Sequence, residues 1–516
     1  MLHFRKALGV ALTAGLLAAC GPSSQTATVA SSTARGTLEV NPPLRIASLD
    51  AAGFATELGA TSAGAQLLAA AGSPACGVDF YYLEFWTVGG AGEVTESSGA
   101  LMVPTGAAPT CSGPRPIVLY AHGTTTDKEY NIADITNTAN TEGALVAAVF
   151  AAQGYIVVAP NYAGYDISTL GYHPYLNAEQ QSGEMLDSLA AARAALPKTY
   201  ASATTDSGKL FVTGYSQGGH VALATLRALQ AAGSAVTAAA PMSGPYALEA
   251  FGDAIFFGDV DIGSTEFTPL LSTSYQHAYP SNPIYTTTAD VFSAPYATGI
   301  DTLLPSVTPI ATIFANGQLP ELAEFNSTTP VVSIPGQPVE SAELTAALAV
   351  PANPVFKLGF GSPGLILNSY RVNYAEDALS NPDGAVPTPK AGVPLAASPP
   401  SINNLRLAFY KNDLRNGNWY PKAPTLLCGG DQDPTVFFSV NTGTMEAFWS
   451  NLPPGLITVL DVNAAPSGPF AAIQTAFQAS QAEELASEGA TAVVENYHTS
   501  VAPFCTVAAR SFFSQF

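Results

Sequence analysis

Gly214-Tyr215-Ser216-Gln217-Gly218 sets a serine between two glycines in the pattern G-x-S-x-G. A serine hydroxyl is a weak nucleophile and gains strength only when a base can reach it. A sharp strand-to-helix turn presents the hydroxyl in that way. Flanking glycines let the backbone fold tightly there and leave room for substrate. The surroundings have the required character: 209–213 reads as a buried strand, and 219–230 as an apolar helix rich in Ala and Leu. The five-residue pattern alone arises often by chance, and its flanks lift it above an ordinary turn serine.

Such a serine needs a base to take its proton and an acid to orient that base. For an elbow of this type the chain order is Ser, then acid, then His. The chain has six histidines: His3, His122, His173, His220, His277 and His498. His3 lies at the extreme N-terminus, and His122 and His173 precede the serine. His220 sits one turn into the elbow helix, and His277 comes before any plausible acid. His498, in Asn496-Tyr497-His498-Thr499-Ser500, remains as the base.

The acid is sought in Gly430-Asp431-Gln432-Asp433-Pro434-Thr435-Val436, after a strand-like run at 423–428. A carboxylate three residues after a glycine and three before a valine is Asp433; Asp431 is a near rival and Asp461 a distant one. Active-site groups of open α/β sheets gather in loops at the C-terminal ends of strands, which suits Asp433. The oxyanion formed on attack needs donors already in place. The N–H of Gln217, at a helix start whose dipole favours negative charge, is one candidate. The N–H of Thr124, in the His122-Gly123-Thr124 loop, is the other. His122 reads as a brace for that loop rather than a proton carrier.

These groups must be carried by a framework. Strand-like runs occur at 80–88, 98–103, 116–120, 155–159, 209–213, 235–242, 423–428 and 456–462. Helical runs occur at 143–153, closed by Gly154, at 183–196 before Pro197, and at 469–487. Short continuous apolar strands alternating with helices predict a mostly parallel sheet covered on both faces. The rhythm breaks between about 243 and 420, a stretch rich in Pro, Ser, Thr and aromatics. Its clearest helix is 341–350. It is too long for a loop and reads as a cap or lid inserted before the acid-bearing strand. The expected organisation is core at 41–243, cap at 244–420 and core again at 421–516.

The N-terminus has a different purpose. Arg5-Lys6 precedes an apolar run at 7–19, too short for a dependable membrane span. Leu17-Ala18-Ala19-Cys20 then matches the bacterial lipoprotein cleavage box, which predicts a signal at 1–19 and lipidation of Cys20. Residues 20–40 begin with a Ser/Thr/Ala-rich stretch and read as a flexible tether. Gly21, rather than Asp, after the cysteine favours an outer-membrane or cell-surface address; a periplasmic or secreted protein is the alternative. Export fits Cys76, Cys111, Cys428 and Cys505, an even set that predicts two disulfides. Three pairings are possible, and Cys76–Cys111 with Cys428–Cys505 joins segments that the fold brings together.

Composition narrows the function. The chain is 516 residues long, 47% hydrophobic and only 11% charged, with 40 prolines and 45 glycines. Its formal net charge of -21 repels nucleic acid and anionic lipid. An acyl anchor, not charge, would therefore hold it at a membrane. No dinucleotide or phosphate-loop pattern and no zinc ligand cluster is present, so no cofactor and no metal is expected. Asp259-Val260-Asp261-Ile262-Gly263 has too few ligands for a calcium loop and reads as an acidic turn. Tyr275, Tyr279, Phe314 and Phe325 are aromatic candidates for an acyl pocket or for ordinary core packing.

Tyr155-Ile156-Val157-Val158-Ala159-Pro160-Asn161-Tyr162-Ala163-Gly164, the Gly183-Glu184-Met185-Leu186-Asp187 helix, Gly214 to His220 and Tyr497-His498-Thr499 resemble the secretory lipase family, which includes the fungal lipase A type. The likeness covers roughly half of the chain beyond its signal in ordered blocks. It implies an α/β-hydrolase fold and hydrolysis of small-molecule or lipid esters. That family commonly carries aspartate where this chain has Asn161, and its cap sequence does not visibly match. Other readings are a prolyl or dipeptidyl serine peptidase, a polyester depolymerase and a catalytically silent surface-binding lipoprotein. The peptidases usually carry a propeller or an N-terminal binding domain, for which 21–110 is short.

Overall fold

The computed structural model describes residues 28–29, 33–60, 62–135, 137, 141–201, 203–330, 342–382, 403–417 and 419–516. The signal at 1–19, Cys20 and most of the tether lie outside the described residues. The described end of the tether packs on the protein: Leu38 is buried, and Arg35 Nε bonds Asp187 Oδ2 at 2.9 Å.

Nine strands form the central sheet. They are β1 (Leu44–Leu49), β2 (Gly77–Val88), β3 (Val94–Thr105), β4 (Gly113–Ala121), β5 (Ile156–Pro160), β6 (Thr204–Tyr215), β7 (Ala238–Met242), β8 (Thr425–Gly429) and β9 (Ile457–Asp461). Their order across the sheet is β9-β8-β7-β6-β4-β5-β3-β2-β1. Strands β1, β2 and β3 pair antiparallel, as do β3 and β5, and every pair from β5 to β9 is parallel. The sheet is thus mostly parallel, as its apolar runs predict. β1 is missing from the sequence reading because it is an exposed edge strand with little apolar alternation.

Successive side chains of a strand point to opposite faces, so each strand supplies two cores. Val118 and Tyr120 of β4 join one cluster with helix α3 (Thr141–Val149) and the long helix α11 (Ala490–Phe513). Ile117 and Leu119 join the other with α4 (Ala178–Ala195) and α5 (Gln217–Ala231). Asn177 caps α4 by accepting from the N–H of Gln180, so this helix starts a turn and a half before the expected 183. Helices α1 (Ala51–Gly59) and α2 (Ser62–Ala71) were not anticipated. Neither was α11, which continues through Pro503.

The two disulfides are Cys76–Cys111 and Cys428–Cys505. The second ties β8 to α11.

Between β7 and β8 the described chain adds no strand to the central sheet. It contributes α6 (Leu248–Phe256), α7 (Ser264–Ala278), α8 (Asn368–Ser380), α9 (Asn404–Asn412) and shorter turns. These helices have an apolar cluster of their own, which includes Phe256, Leu270, Tyr275, Phe325 and Phe409.

Candidate active site

The elbow lies between β6 and α5. Ser216 has φ 59° and ψ -123°, a backbone conformation that L-residues adopt only when the surroundings impose it. The imposition is visible. Ser216 N–H donates to the Met242 carbonyl on β7 at 3.0 Å, and its own carbonyl accepts from Gly219. A Cβ at Gly218 would come within 1.9 Å of the Ala121 carbonyl oxygen, and one at Gly214 within 2.5 Å, so neither position admits a side chain. Helix α5 begins at Gln217, whose amide is among the first-turn donors without an intrahelical acceptor.

His498 is on α11, not in a loop, and its Nδ1 lies 2.6 Å from Asp433 Oδ2. The second oxygen, Oδ1, accepts from the N–H groups of Thr435 and Val436 at 2.9 and 3.0 Å. Both carboxylate oxygens of Asp433 are therefore fixed, and Nδ1 must donate. The neutral imidazole then carries its lone pair on Nε2, which is buried and has no hydrogen-bond partner. Tyr215 O–H donates to the carbonyl of His498 and braces the helix at that turn. The rival carboxylates are engaged elsewhere. Asp431 is exposed and accepts from Asn463 Nδ2 at 2.8 Å, while Asp461 accepts from the N–H groups of Asp431 and Asn463.

The loop after β4 lies against the elbow. A Cβ on Gly123 would be 3.7 Å from that of Ser216. Gly123 N–H donates to Glu142 Oε1 at 3.0 Å, and the same oxygen accepts from Tyr120 O–H at 2.7 Å. Burial raises the Glu142 carboxyl to about 7. Thr124 follows, with its hydroxyl 2.8 Å from Tyr175 O–H. Glu142, the first acid of an otherwise apolar helix, is a member of the site that the sequence reading missed. Its only signal there was one carboxylate next to the apolar run.

His122 and His173 are structural by geometry. His122 is fully buried, its ring stacked on Tyr162 at 4.1 Å. Burial lowers its pKa to about 4, so the ring is neutral. His173, lowered by burial to about 3, donates from Nδ1 to the Ala163 carbonyl at 2.9 Å. Its Nε2 then accepts from Gln217 Nε2 at 2.6 Å, which anchors the side chain next to Ser216. Asn161 uses its amide fully: Oδ1 accepts from Ile132 N–H, and Nδ2 donates to Ser98 Oγ and Asn131 Oδ1.

Ser216 and Gln217 open onto a pocket whose empty space, counted out to its mouth, is about 720 Å³. Its apolar wall includes Leu248, Phe251, Phe256, Phe267 and Phe409, nearly all from the helices between β7 and β8. Tyr275, Tyr279, Phe314 and Phe325 do not line it. They pack in or against the neighbouring core instead. Among the described residues no cluster of three or more His, Cys, Asp or Glu is placed to hold a metal ion. No described helix is long and apolar enough to cross a membrane.

Two of the similar solved structures share this architecture. The rice cell wall degrading esterase LipA from Xanthomonas oryzae aligns with a TM-score of 0.66 over 93% of this chain and 99% of its own, at 23% identity. A putative hydrolase from Legionella pneumophila aligns with a TM-score of 0.60 over 92% and 96%, at 17% identity. Candida antarctica lipase A is more distant, with a TM-score of 0.44 over 83% and 76%, at 12% identity. The fold is that of an α/β-hydrolase. Residues 143–282, which include the elbow, match the prolyl oligopeptidase family, a span short of half the chain. No curated protein matches the sequence.

Proposed function

We propose that the protein is an exported serine hydrolase of carboxylic esters, an esterase or lipase. The observation that carries this reading is the Asp433–His498 bond of 2.6 Å, which leaves Nε2 without a partner, with His498 tied through its carbonyl to Tyr215, the residue before the strained, pocket-lining Ser216. Ser216 Oγ attacks the ester carbonyl while His498 Nε2 takes its proton. Asp433 holds the imidazole in the right tautomer and stabilises the imidazolium. The amides of Gln217 and Thr124 receive the oxyanion, and Glu142 fixes the Gly123 peptide that aims Thr124. His498 returns the proton to the leaving alcohol, and water then releases the acyl group by the reverse sequence. Ser216→Ala should lower kcat for p-nitrophenyl butyrate by about 10^4-fold or more. Activity within tenfold of wild type would sink the assignment.

Amide cleavage is the second reading, favoured by the match of 143–282 to the prolyl oligopeptidase family. Against it, 44–105 is occupied by three strands of the central sheet rather than a separate binding domain. Turnover of matched ester and anilide substrates separates the two. The resemblance to secretory lipases and the esterase LipA supports the ester.

Two disulfides and the Cys20 box support export with a lipid anchor. Mass spectrometry of the membrane fraction should find a diacylglyceryl group on Cys20. An unmodified Cys20 in the purified protein would remove the anchor from this reading.

A further inference from the structure

The apolar pocket has one acidic wall that the triad does not use. Asp261 lines the pocket together with Ser216 and Thr435. It is 5% exposed, and its Oδ1 has no hydrogen-bond partner. Behind it, Glu324 is 1% exposed. Glu324 Oε1 accepts from the hydroxyl of Thr268, another pocket-lining residue, at 2.7 Å, and its Oε2 has no partner. The backbone holds Asp261 close to the catalytic loop. Ile262 N–H donates to the carbonyl of Pro434 at 3.0 Å, so the Asp259–Gly263 turn is bonded directly to the residue after Asp433.

An ionised carboxylate buried in apolar surroundings is costly unless a counter-charge and hydrogen bonds compensate it. Burial and the neighbouring Glu324 push the Asp261 carboxyl well above its ordinary range, and burial lifts Glu324 to about 7. Among the described residues no Lys or Arg forms an ion pair with either. Arg371, whose guanidinium lies 4.5 Å from the Phe325 ring centre, directs its donors to the carbonyls of Phe256, Leu348 and Ala347. Among the described residues the pocket wall therefore holds a carboxyl with no cation beside it, which burial keeps protonated until a counter-charge arrives.

On the ester-hydrolase reading, we propose that Asp261 is a specificity residue that selects esters carrying a protonated amine. The ammonium N–H donates to the unpartnered Asp261 Oδ1, and the hydrocarbon part of the substrate covers Phe251, Phe256 and Phe267. An alcohol would gain a hydrogen bond to a carboxyl that stays protonated. An ammonium instead lets the carboxyl release its proton to solvent and form an ion pair, so the site favours the amine. The overall charge of -21 raises the local concentration of such cations as well.

The test compares two isosteric esters at pH 7: 2-(dimethylamino)ethyl butyrate, which is protonated, and neutral 3-methylbutyl butyrate. Wild type should favour the cation in kcat/KM by about tenfold or more, and Asp261→Asn should remove most of that preference. A preference for the neutral ester in wild type, or an equal preference in both proteins, overturns the proposal. Calorimetry on Ser216→Ala supplies a readout independent of turnover. 3-Methylbutylamine should bind more tightly than 3-methylbutanol, and Asp261→Asn should abolish the difference. Tighter binding of the alcohol again overturns the proposal. Turnover of neither ester, with the amine still bound through Asp261, would remove the esterase reading and retain the amine site.

Discussion

The sheet and the stretch between β7 and β8 hold the same pocket by different means. The sheet is an alternating array of Val, Ile, Leu and Ala with loops at its strand ends, and a disulfide closes it from β8 to α11. The helices between β7 and β8 are short and aromatic, and they are joined by buried charge. Arg406, 1% exposed, bonds Asp253 through Nε at 2.8 Å and Nη2 at 2.9 Å, and lies 3.1 Å from Glu249. Asp413 and Arg415 form a second buried pair. Apolar packing on a regular sheet fixes the reacting groups wherever the pattern repeats. Point contacts between charges fix one particular arrangement of helices without demanding a pattern. The elbow serine and the Asp433–His498 pair sit on the first kind of framework and the pocket wall on the second.

Removing Arg406 strikes this contrast hardest. Arg406→Ala takes away the guanidinium that Asp253 and Glu249 share, at a cost of about 3–5 kcal/mol. Hydrogen exchange should rise in α6, α8 and α9 while β4 to β8 stay protected. A uniform rise through the sheet would mean that the two regions unfold as one, and the contrast would fail. Cys428→Ser with Cys505→Ser is the matching change on the other side. The bridge spans a sequence separation of 77, and its loss should cost about 2–4 kcal/mol in urea unfolding. On the ester-hydrolase reading turnover should fall with it, since β8 leads to the proposed acid and α11 carries the proposed base.

The smallest effect is on pH dependence. Burial raises Glu142 from 4.5 to about 7, so the folded state keeps this proton where the unfolded chain has lost it. Its contribution to stability is full below about 4.5 and is lost as the pH rises through 7. Glu142→Gln cannot ionise, so between pH 5 and pH 8 it should lose less stability than wild type. The expected difference is about 1–2 kcal/mol in unfolding free energy. Equal losses would mean that this carboxylate is better solvated than its neighbours Tyr120 and Gly123 imply.

The core was legible because its strands are apolar runs and its serine lies at a strand-to-helix junction. Chain order singles out His498 as the candidate base, and spacing prefers Asp433 over Asp431 and Asp461. The geometry adds that Asp433 alone of the three bonds His498. Three things were hidden for definite reasons. Pro503 disguised α11, although its neighbours pack well enough to tolerate the missing amide. β1 is an exposed edge and needs no alternation. The pocket wall is set by long-range contacts such as Arg406 with Asp253, which no local pattern announces. For the same reason Tyr275 and Phe325 could not be told from Phe256 and Phe267, since all four are aromatic and only tertiary packing decides which way each faces.

The Cys428–Cys505 bridge makes a closed ring of the chain that carries both Asp433 and His498. A single backbone cut in the turns at 463–468, between β9 and α10 (Ala471–Ser487), would therefore not release either residue. The nicked halves would remain one covalent molecule with Asp433 and His498 on adjoining arms. Against proteolysis, that ring is insurance for the first cut.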